Sequence, residues 1–325
     1  MTDSSFSMRC CATSLLVCLV GLGFAACSDG SSNAGNAGNP YVADDDIRRP
    51  RDAGAPDARV SDGGSAPAPT TWWQPRSDKP IHWHWQLSDT FVYPRDLLPN
   101  VTVYDIDGEL TPASTVSSLH AANPNNKAIC YFDAGVWEDF RSDAKDFPKS
   151  VIGNPDQGWD GHFWLDIRRM DVLLPIMKKR MVNWCKNKGF DAVEPDETEV
   201  WSNNPGFPIT KADNAAYHRA LADMAHSLGL SIGLKGNNTE AVELEPLYDW
   251  ALTEECWEFN ECHFFKDSFG AKGKAVFNVE YGKAPNCTNA NAWRINSSQR
   301  DLQVSGPKNK SYVYRPCVPD NRTTW

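Results

Sequence analysis

Short apolar runs alternate with helix-length segments along the chain from residue 71 onward. Strands that alternate with helices in this way predict a parallel sheet covered by helices, and eight such units predict a (β/α)8 TIM barrel. We identify eight runs as strands: Ile81–Leu87, Val101–Asp105, Ala128–Asp133, Phe163–Ile167, Asp191–Pro195, Leu230–Lys235, Trp250–Glu254 and Ala275–Tyr281.

Four segments between these runs have the pattern of helices: Pro112–Ala122, Val172–Lys186, Lys211–Leu228 and Phe259–Ala271. The third places Leu221, Met224 and Leu228 on one face, and Gly229 supplies a C-terminal stop. A doubly wound sheet is the alternative α/β fold, but it requires a glycine-rich turn after the first strand. The sequence has no such turn there, so we favour the barrel.

Polar side chains follow nearly every predicted strand. In a barrel, the carboxyl ends of the strands and the loops after them form the active face. We therefore expect a site at this end, built from the strand-end residues His84, Gln86, Asp105, Asp107, Asp133, Asp166, Arg168, Glu194, Asp196, Lys235, Asn237, Glu254, Glu255, Glu280 and Tyr281.

Two of these strand ends are notably acidic, Asp191–Glu199 and Asp249–Cys256. Two carboxylates that face one another are the catalytic equipment of a glycosidase. Aromatic residues accompany them, and the chain contains 13 Trp. Sugars present flat apolar faces edged with hydroxyl groups, so aromatic rings and acids together indicate a polysaccharide-binding groove.

The N-terminal part of the chain has the features of an exported lipoprotein. Residues 1–26 contain a short apolar run typical of a signal peptide, and Phe24-Ala25-Ala26-Cys27 resembles a bacterial lipobox. Residues 27–71 are of low complexity and predict a disordered tether. We expect a lipid on Cys27 to hold the catalytic domain, residues 72–325, to the outer membrane or the cell surface. Residues from about 286 form a cysteine-containing tail.

Net charge limits the kinds of ligand that the protein can bind, and the cysteine content indicates disulfides. The net charge of −10 argues against nucleic acid or an anionic membrane surface and suits a cationic or neutral ligand. An even number of cysteines in an exported domain indicates disulfides, here among Cys130, Cys185, Cys256, Cys262, Cys287 and Cys317. Cys256 and Cys262 flank one short loop, so we predict that they are bridged; the other pairings stay open. We expect a monomer.

Two alternative functions belong to other classes of protein, a metal-dependent hydrolase and a non-catalytic binding protein. His82-Trp83-His84 resembles the His-x-His of metal-dependent barrel hydrolases, but no later histidine ends a predicted strand. We therefore expect no metal and no cofactor. A non-catalytic polysaccharide-binding lipoprotein would share the same aromatic residues and charge, and it would bind the polymer without releasing new reducing ends.

From about Trp72 to Gly282 the chain resembles glycoside hydrolase family 114, the endo-α-1,4-polygalactosaminidases. The resemblance rests on ordered segments along one domain. They are Trp83–Leu87, Tyr104–Asp107, Cys130–Phe132, Gly135–Glu138, Trp164–Arg168, Lys188–Asp196, Ala225–His226, Gly233–Lys235, Glu254–Cys256 and Val279–Tyr281.

The resemblance implies a barrel that hydrolyses α-1,4-linked galactosamine-rich polysaccharide, either cationic or partly N-acetylated. Its two acids carry over onto Asp196, expected as nucleophile, and Glu254, expected as proton donor; the reverse order stays open, with Glu194 and Glu280 as a second choice of pair. We expect retention of configuration. The substrate-binding residues are expected to be Trp85, Asp105, Tyr131, Asp166, Arg168, Glu194, Lys235, Asn237, Glu280 and Tyr281.

Replacing the expected lipid-bearing cysteine tests the anchor. Because the apolar run ends at Cys27 and a tether follows, Cys27→Ala should release the protein from membranes or leave the signal peptide uncut. Fractionation of cells that express the variant measures this. A Cys27→Ala protein that is processed normally and stays membrane-bound would show that the anchor lies elsewhere.

Overall fold

The structure, a computed structural model, describes residues 72–319 and 321–325. The predicted signal peptide, Cys27 and the tether of residues 27–71 lie outside the described residues. Within the described part of the chain, no helix is both long and apolar enough to cross a membrane.

The described residues form twelve strands and six α-helices. The strands are β1 (Trp83–Gln86), β2 (Val103–Asp107), β3 (Lys127–Asp133), β4 (Val136–Glu138), β5 (Ile152–Pro155), β6 (His162–Leu165), β7 (Ala192–Asp196), β8 (Ser231–Lys235), β9 (Trp250–Glu254), β10 (Val276–Glu280), β11 (Ile295–Arg300) and β12 (Tyr314–Pro316). The helices are α1 (Ala113–Ala122), α2 (Met170–Arg180), α3 (Lys211–Ser227), α4 (Ala241–Leu244), α5 (Cys262–Asp267) and α6 (Cys287–Trp293).

Eight of these strands run parallel in the order β1-β2-β3-β7-β8-β9-β10-β11, and β12 adds an antiparallel edge to β11. Side chains join the two ends of the parallel series. Asn296 of β11 accepts the Ile81 N–H at 2.8 Å, and its carbonyl oxygen accepts the Trp83 indole N–H at 2.9 Å. The predicted (β/α)8 fold class is confirmed.

One predicted strand was assigned incorrectly, and one barrel strand was not predicted. The run Phe163–Ile167, expected as the fourth barrel strand, overlaps β6, which belongs to a separate antiparallel sheet ordered β4-β6-β5. The eighth barrel strand is instead β11, in the segment expected to be a tail. Its buried side chains are mostly polar and satisfied by hydrogen bonds, as at Asn296 and Ser297. A hydrophobicity pattern therefore selects the apolar β6 and overlooks β11.

The helices follow the predicted pattern, with differences at their ends. The predicted second helix is α2 followed by a π-helical turn, Met181–Cys185, and it stops near Gly189, whose φ is +88°. The predicted fourth helix shortens to α5 because the loop closed by Cys256 and Cys262 occupies the start of the segment.

Alternate residues of each strand enter two separate apolar layers. In β9, Trp250 and Leu252 belong to a cluster inside the barrel, whereas Ala251 packs in the layer between strands and helices. The interior is dense: a Cβ added to Gly233 would lie 2.3 Å from the Trp250 ring. The side-chain period of two thus decides which strand-end residues face the barrel axis.

Three disulfides link parts of the domain, Cys130–Cys185, Cys256–Cys262 and Cys287–Cys317. The second is the pair selected from the sequence, and it closes the loop directly after β9. Disulfides in this number are typical of exported proteins.

Candidate active site

Three neighbouring strands bring two carboxylates and an ammonium group together. Asp196 ends β7, Lys235 ends β8 and Glu254 ends β9, and β8 pairs with both neighbours. The Lys235 Nζ lies 2.8 Å from the Asp196 Oδ2 and 2.8 Å from the Glu254 Oε2. The two carboxylate oxygens therefore lie no farther apart than twice that distance. The two predicted catalytic acids meet at one cation.

Each of the two carboxylates has a second donor. The Glu197 backbone N–H donates to the Asp196 Oδ1 at 2.7 Å, and the Tyr281 hydroxyl donates to the Glu254 Oε1. Exposure separates the two acids, because the Asp196 side chain is 9% exposed and that of Glu254 is 35% exposed. Asp196 is thus held inside the barrel mouth, and Glu254 lies closer to solvent.

The backbone turns sharply after both acids. Glu197 and Glu255, which directly follow them, have φ values of +56° and +52°. A non-glycine residue in this region carries a strain on the order of 1–3 kcal/mol and is found mostly where the surrounding structure holds it for a function. The same backbone conformation at both positions ends each strand immediately beyond the carboxylate.

Lys235 is fully enclosed yet remains charged. Burial alone would lower its pKa, but the carboxylates of Asp196, Glu254 and Glu194 outweigh that effect and raise the pKa well above the ordinary value. Its Nζ also lies 4.8 Å from the centre of the Trp85 ring, a cation–π distance. Trp85 and Lys235, both predicted site residues, therefore contact one another.

A second pair of acids, Asp105 and Glu194, lies deeper in the barrel. Burial raises the pKa of Asp105 to about 7, and burial together with the charge of Asp105 raises the pKa of Glu194 well above its usual range. The two carboxyl groups also contact each other, and each affects the pKa of the other. Apart from the contact between the two carboxyls, no hydrogen-bond donor of the described residues reaches their four oxygens, and the Lys235 Nζ stays 3.9 Å from Glu194.

The predicted aromatic residues line the same interior. The Tyr131 hydroxyl donates to the Asp133 Oδ1 at 3.1 Å, and its ring centre is 6.5 Å from that of Trp85. Burial and then the charge of Glu254 raise the pKa of Tyr281, so it stays a hydrogen-bond donor. Asn237 lies at the margin, where its amide donates to the Thr198 hydroxyl at 3.1 Å.

Other predicted residues lie away from the pair. Asp166 binds Arg168 through two hydrogen bonds of 2.7 and 2.8 Å, and no contact of the described residues links either side chain to Asp196 or Glu254. Their expected place at a barrel strand end was wrong, because β6 is not a barrel strand. Glu280 lies at a position of β10 whose side chain faces away from the barrel axis. Its carboxylate accepts hydrogen bonds from the backbone N–H groups of Trp257 and Glu258 at 3.0 and 3.2 Å. It holds the loop after β9.

The histidine pair of the metal-hydrolase alternative does not face the site. The His84 side chain faces away from the barrel axis and is buried. Its Nε2 lies 3.2 Å from the Tyr312 hydroxyl. Burial and then Arg300 lower its pKa well below the usual range. The Nε2 of His82 contacts the Arg322 carbonyl at 2.6 Å. Both rings contact the C-terminal segment, so the structure does not support that alternative.

One group among the described residues brings three potential metal ligands within 4.8 Å of one another: Asp133, Glu138 and His162. Both oxygens of Glu138 already face guanidinium groups, Arg141 at 2.8 Å and Arg180 at 3.5 Å. These arginines supply the positive charge that a cation would bring, so the donor set does not favour a metal site.

Glu199 is a site residue that the sequence analysis did not select. Burial, and then the charge of Asp196, raise its pKa to about 7. The Asn237 amide lies 3.5 Å from its Oε2. The signal was present in the acidic run that continues beyond Asp196, but a carboxylate three residues past a strand usually lies in solvent.

A barrel with two carboxylates on strand ends separated only by β8 is the arrangement expected of a glycoside hydrolase. The chain belongs to glycoside hydrolase family GH114, whose family model matches residues 63–315.

Solved structures show the same fold. The structure of Aspergillus fumigatus Ega3 in complex with galactosamine is 28% identical, with a TM-score of 0.65 over 72% of this chain and 95% of that chain. The glycoside hydrolase domain of PelA from Pseudomonas aeruginosa is 13% identical, with a TM-score of 0.52 over 72% of this chain and 98% of that domain, and shows the fold alone. No curated protein matches the chain.

Removing the shared ammonium tests the electrostatics of the pair. Without a cation between them, two adjacent carboxyls resist ionising together, so Lys235→Met should move the acidic limb of the pH–activity profile to higher pH by about one unit or more and lower turnover. The measurement is initial rate against pH, with folding checked by thermal melting. Lys211→Met removes an exposed ion-paired lysine as the control. A Lys235→Met profile identical to that of the control would contradict this role.

Proposed function

We propose that the protein is an endo-acting glycosidase that cleaves α-1,4-linked galactosamine-rich polysaccharide with Asp196 and Glu254 as its catalytic pair. The observation that carries the proposal is the shared contact of both carboxylates with Lys235, which brings them within reach of one sugar residue. Membership of the GH114 family supports glycosidic chemistry. A protein that only binds polysaccharide would not need two acids at this separation.

Exposure and hydrogen bonding favour different roles for the two acids. Asp196 has a donor on each oxygen and is fixed within the barrel, as a nucleophile aimed at an anomeric carbon must be. Glu254 is the more exposed of the two, which suits a group that exchanges its proton with a leaving oxygen and then with water.

The proposed reaction has two displacements. Glu254 protonates the glycosidic oxygen as Asp196 attacks the anomeric carbon, and a covalent glycosyl ester forms. Water, deprotonated by Glu254, then hydrolyses the ester. Retaining enzymes separate their carboxyls by about 5–5.5 Å and inverting enzymes by about 6.5–9.5 Å. The spacing imposed by Lys235 supports retention.

Lys235 and Tyr281 would assist at different stages. An ammonium group 2.8 Å from each acid stabilises carboxylates in the free enzyme. Sugar bound between Lys235 and Glu254 would replace the second contact and leave Glu254 free to hold the proton for the first step. Tyr281, a neutral donor on the same carboxyl, can stay in place throughout.

The deep acids favour a cationic sugar. Asp105 and Glu194 hold four buried oxygens, and the only hydrogen-bond partner of either carboxyl among the described residues is the other carboxyl. A ligand that donates hydrogen bonds to such oxygens would stabilise them most. An ammonium group carries three N–H donors and a positive charge. The net charge of −10 acts in the same direction, and the relative Ega3 was solved in complex with galactosamine.

The proposed site of action is outside the cell. We infer that a lipid on Cys27 anchors the domain and that residues 27–71 act as a flexible tether, with a reach on the order of 35 Å. A long polymer would then be cleaved where it meets the cell envelope.

Substitution of either acid tests the catalytic pair. Because loss of an acid–base partner alone costs roughly 100-fold or more, Asp196→Asn and Glu254→Gln should each lower turnover at least that much while binding persists. The assay counts new reducing ends from partly deacetylated α-1,4-galactosaminogalactan, beside chitosan and polygalacturonate. Asp223→Asn, an exposed acid on α3, is the matched control. Near-normal turnover by Asp196→Asn or Glu254→Gln would refute the assignment, and binding without reducing ends by the unaltered protein would indicate a non-catalytic role.

A further inference from the structure

The small antiparallel sheet of β4, β5 and β6 carries an exposed aromatic tip that the catalytic pair does not use. Phe140 is 59% exposed and Trp159 is 38% exposed. Both rings neighbour His162, with ring centres 5.8 and 6.4 Å from its own. We call these three residues the aromatic tip. Exposed rings that gather in one place mark binding surfaces more often than isolated ones do.

Acidic side chains surround the aromatic tip. Asp139 and Asp160 are exposed and Asp156 is half-buried, and none of the three forms a salt bridge within the described residues. The Arg141 guanidinium lies 5.2 Å from the centre of the Phe140 ring. That group is buried and already bound by Glu138 and Asp107 at 2.8 and 2.6 Å. The surface charge at the tip is therefore negative.

A chain of neighbouring side chains links the aromatic tip to the catalytic site through the buried Asp133. β3 ends at Asp133, and Asp133 and Asp196 are paired neighbours in the sheet. A ring nitrogen of His162 and a carboxylate oxygen of Asp133 lie within 4.8 Å of each other. Asp196, Asp133, His162 and the two exposed rings thus form a row that leads outward from the nucleophile position.

We propose that the aromatic tip and its acids form a remote subsite that binds galactosamine units of the polymer several sugars away from the cleavage point. The proposal rests on the function proposed above and extends it. An ammonium group on the sugar would lie over a ring face as a cation–π pair and be attracted by Asp139 and Asp160. Ring faces also match the apolar faces of sugars.

A remote subsite makes the enzyme selective for length. Contacts with distant parts of a substrate hold the chain in register, and a short substrate cannot reach them. The tip should therefore improve the use of long chains and leave short chains unaffected. A structural role for the same residues would affect both.

The test compares long and short substrates for a Phe140→Ala/Trp159→Ala double variant. The expected result is a rise of about tenfold in KM for partly deacetylated α-1,4-galactosaminogalactan, from the loss of two exposed cation–π contacts. The KM for short galactosamine oligosaccharides should stay unchanged. Val242→Ala, which alters an exposed apolar residue of α4, is the control, and equal thermal midpoints show that the double variant is folded.

Two outcomes would overturn the proposal. One is an unchanged KM for the polymer, and the other is an equal rise in KM for the polymer and for short oligosaccharides. If the unaltered protein releases no reducing ends, the proposed function fails and the subsite is judged by binding. Affinity electrophoresis in gels that contain the same polymer then decides. Weaker retardation of the double variant supports the subsite, and equal retardation rejects it.

Discussion

The buried ammonium group of Lys235 is the interaction on which the active site depends. Asp196 and Glu254 end strands separated by one other strand, and neighbouring strands lie about 4.8 Å apart. Without a cation between them, two carboxylates so placed would repel. Lys235 on the intervening strand offsets that repulsion. The carboxylates in turn raise the pKa of Lys235 and keep it charged. Removing either partner of the buried Asp196–Lys235 pair leaves a charge unpaired, at a cost of about 3–5 kcal/mol.

The alternation of side chains along the strands explains which predicted residues meet. Residues in register with the interior cluster face the barrel axis, and those one position away face the helices. The first group comprises Trp85, Asp105, Tyr131, Glu194, Asp196, Lys235, Glu254 and Tyr281. Glu280 and His84 belong to the second group, and their contacts are with a loop and with the C-terminal segment. The alternation of side chains along each strand can be read from the sequence, and it would have separated the residues that face the axis from those that face the helices.

Other features were not accessible from the sequence pattern. The polar strand β11 is buried because Asn296 and Ser297 find partners on neighbouring elements, and those partners are distant in the chain. The placement of β6 depends on its antiparallel partners rather than on its own composition. The fold class needed only local signals, namely apolar runs that end in acids, and the proposed catalytic pair came from these strand ends together with the resemblance to the family. The contact through Lys235 needed the three-dimensional arrangement.

The barrel and its inserted sheet divide the work of recognition. The barrel mouth holds the fixed acids, and the sheet of β4, β5 and β6 extends the surface outward from β3. Such an arrangement keeps the reacting groups on rigid strands and leaves length selection to a loop insertion, as is common in barrels, whose loops vary while the strands persist.

The stereochemistry of the first product is the most direct test of the central claim that Asp196 and Glu254 act at nucleophile distance on one sugar. Proton NMR of a reaction with α-1,4-linked galactosamine oligosaccharide, recorded before the released sugar mutarotates, distinguishes the two anomers. The account predicts that the α-anomer appears first, because two displacements retain configuration. Initial release of the β-anomer would contradict it.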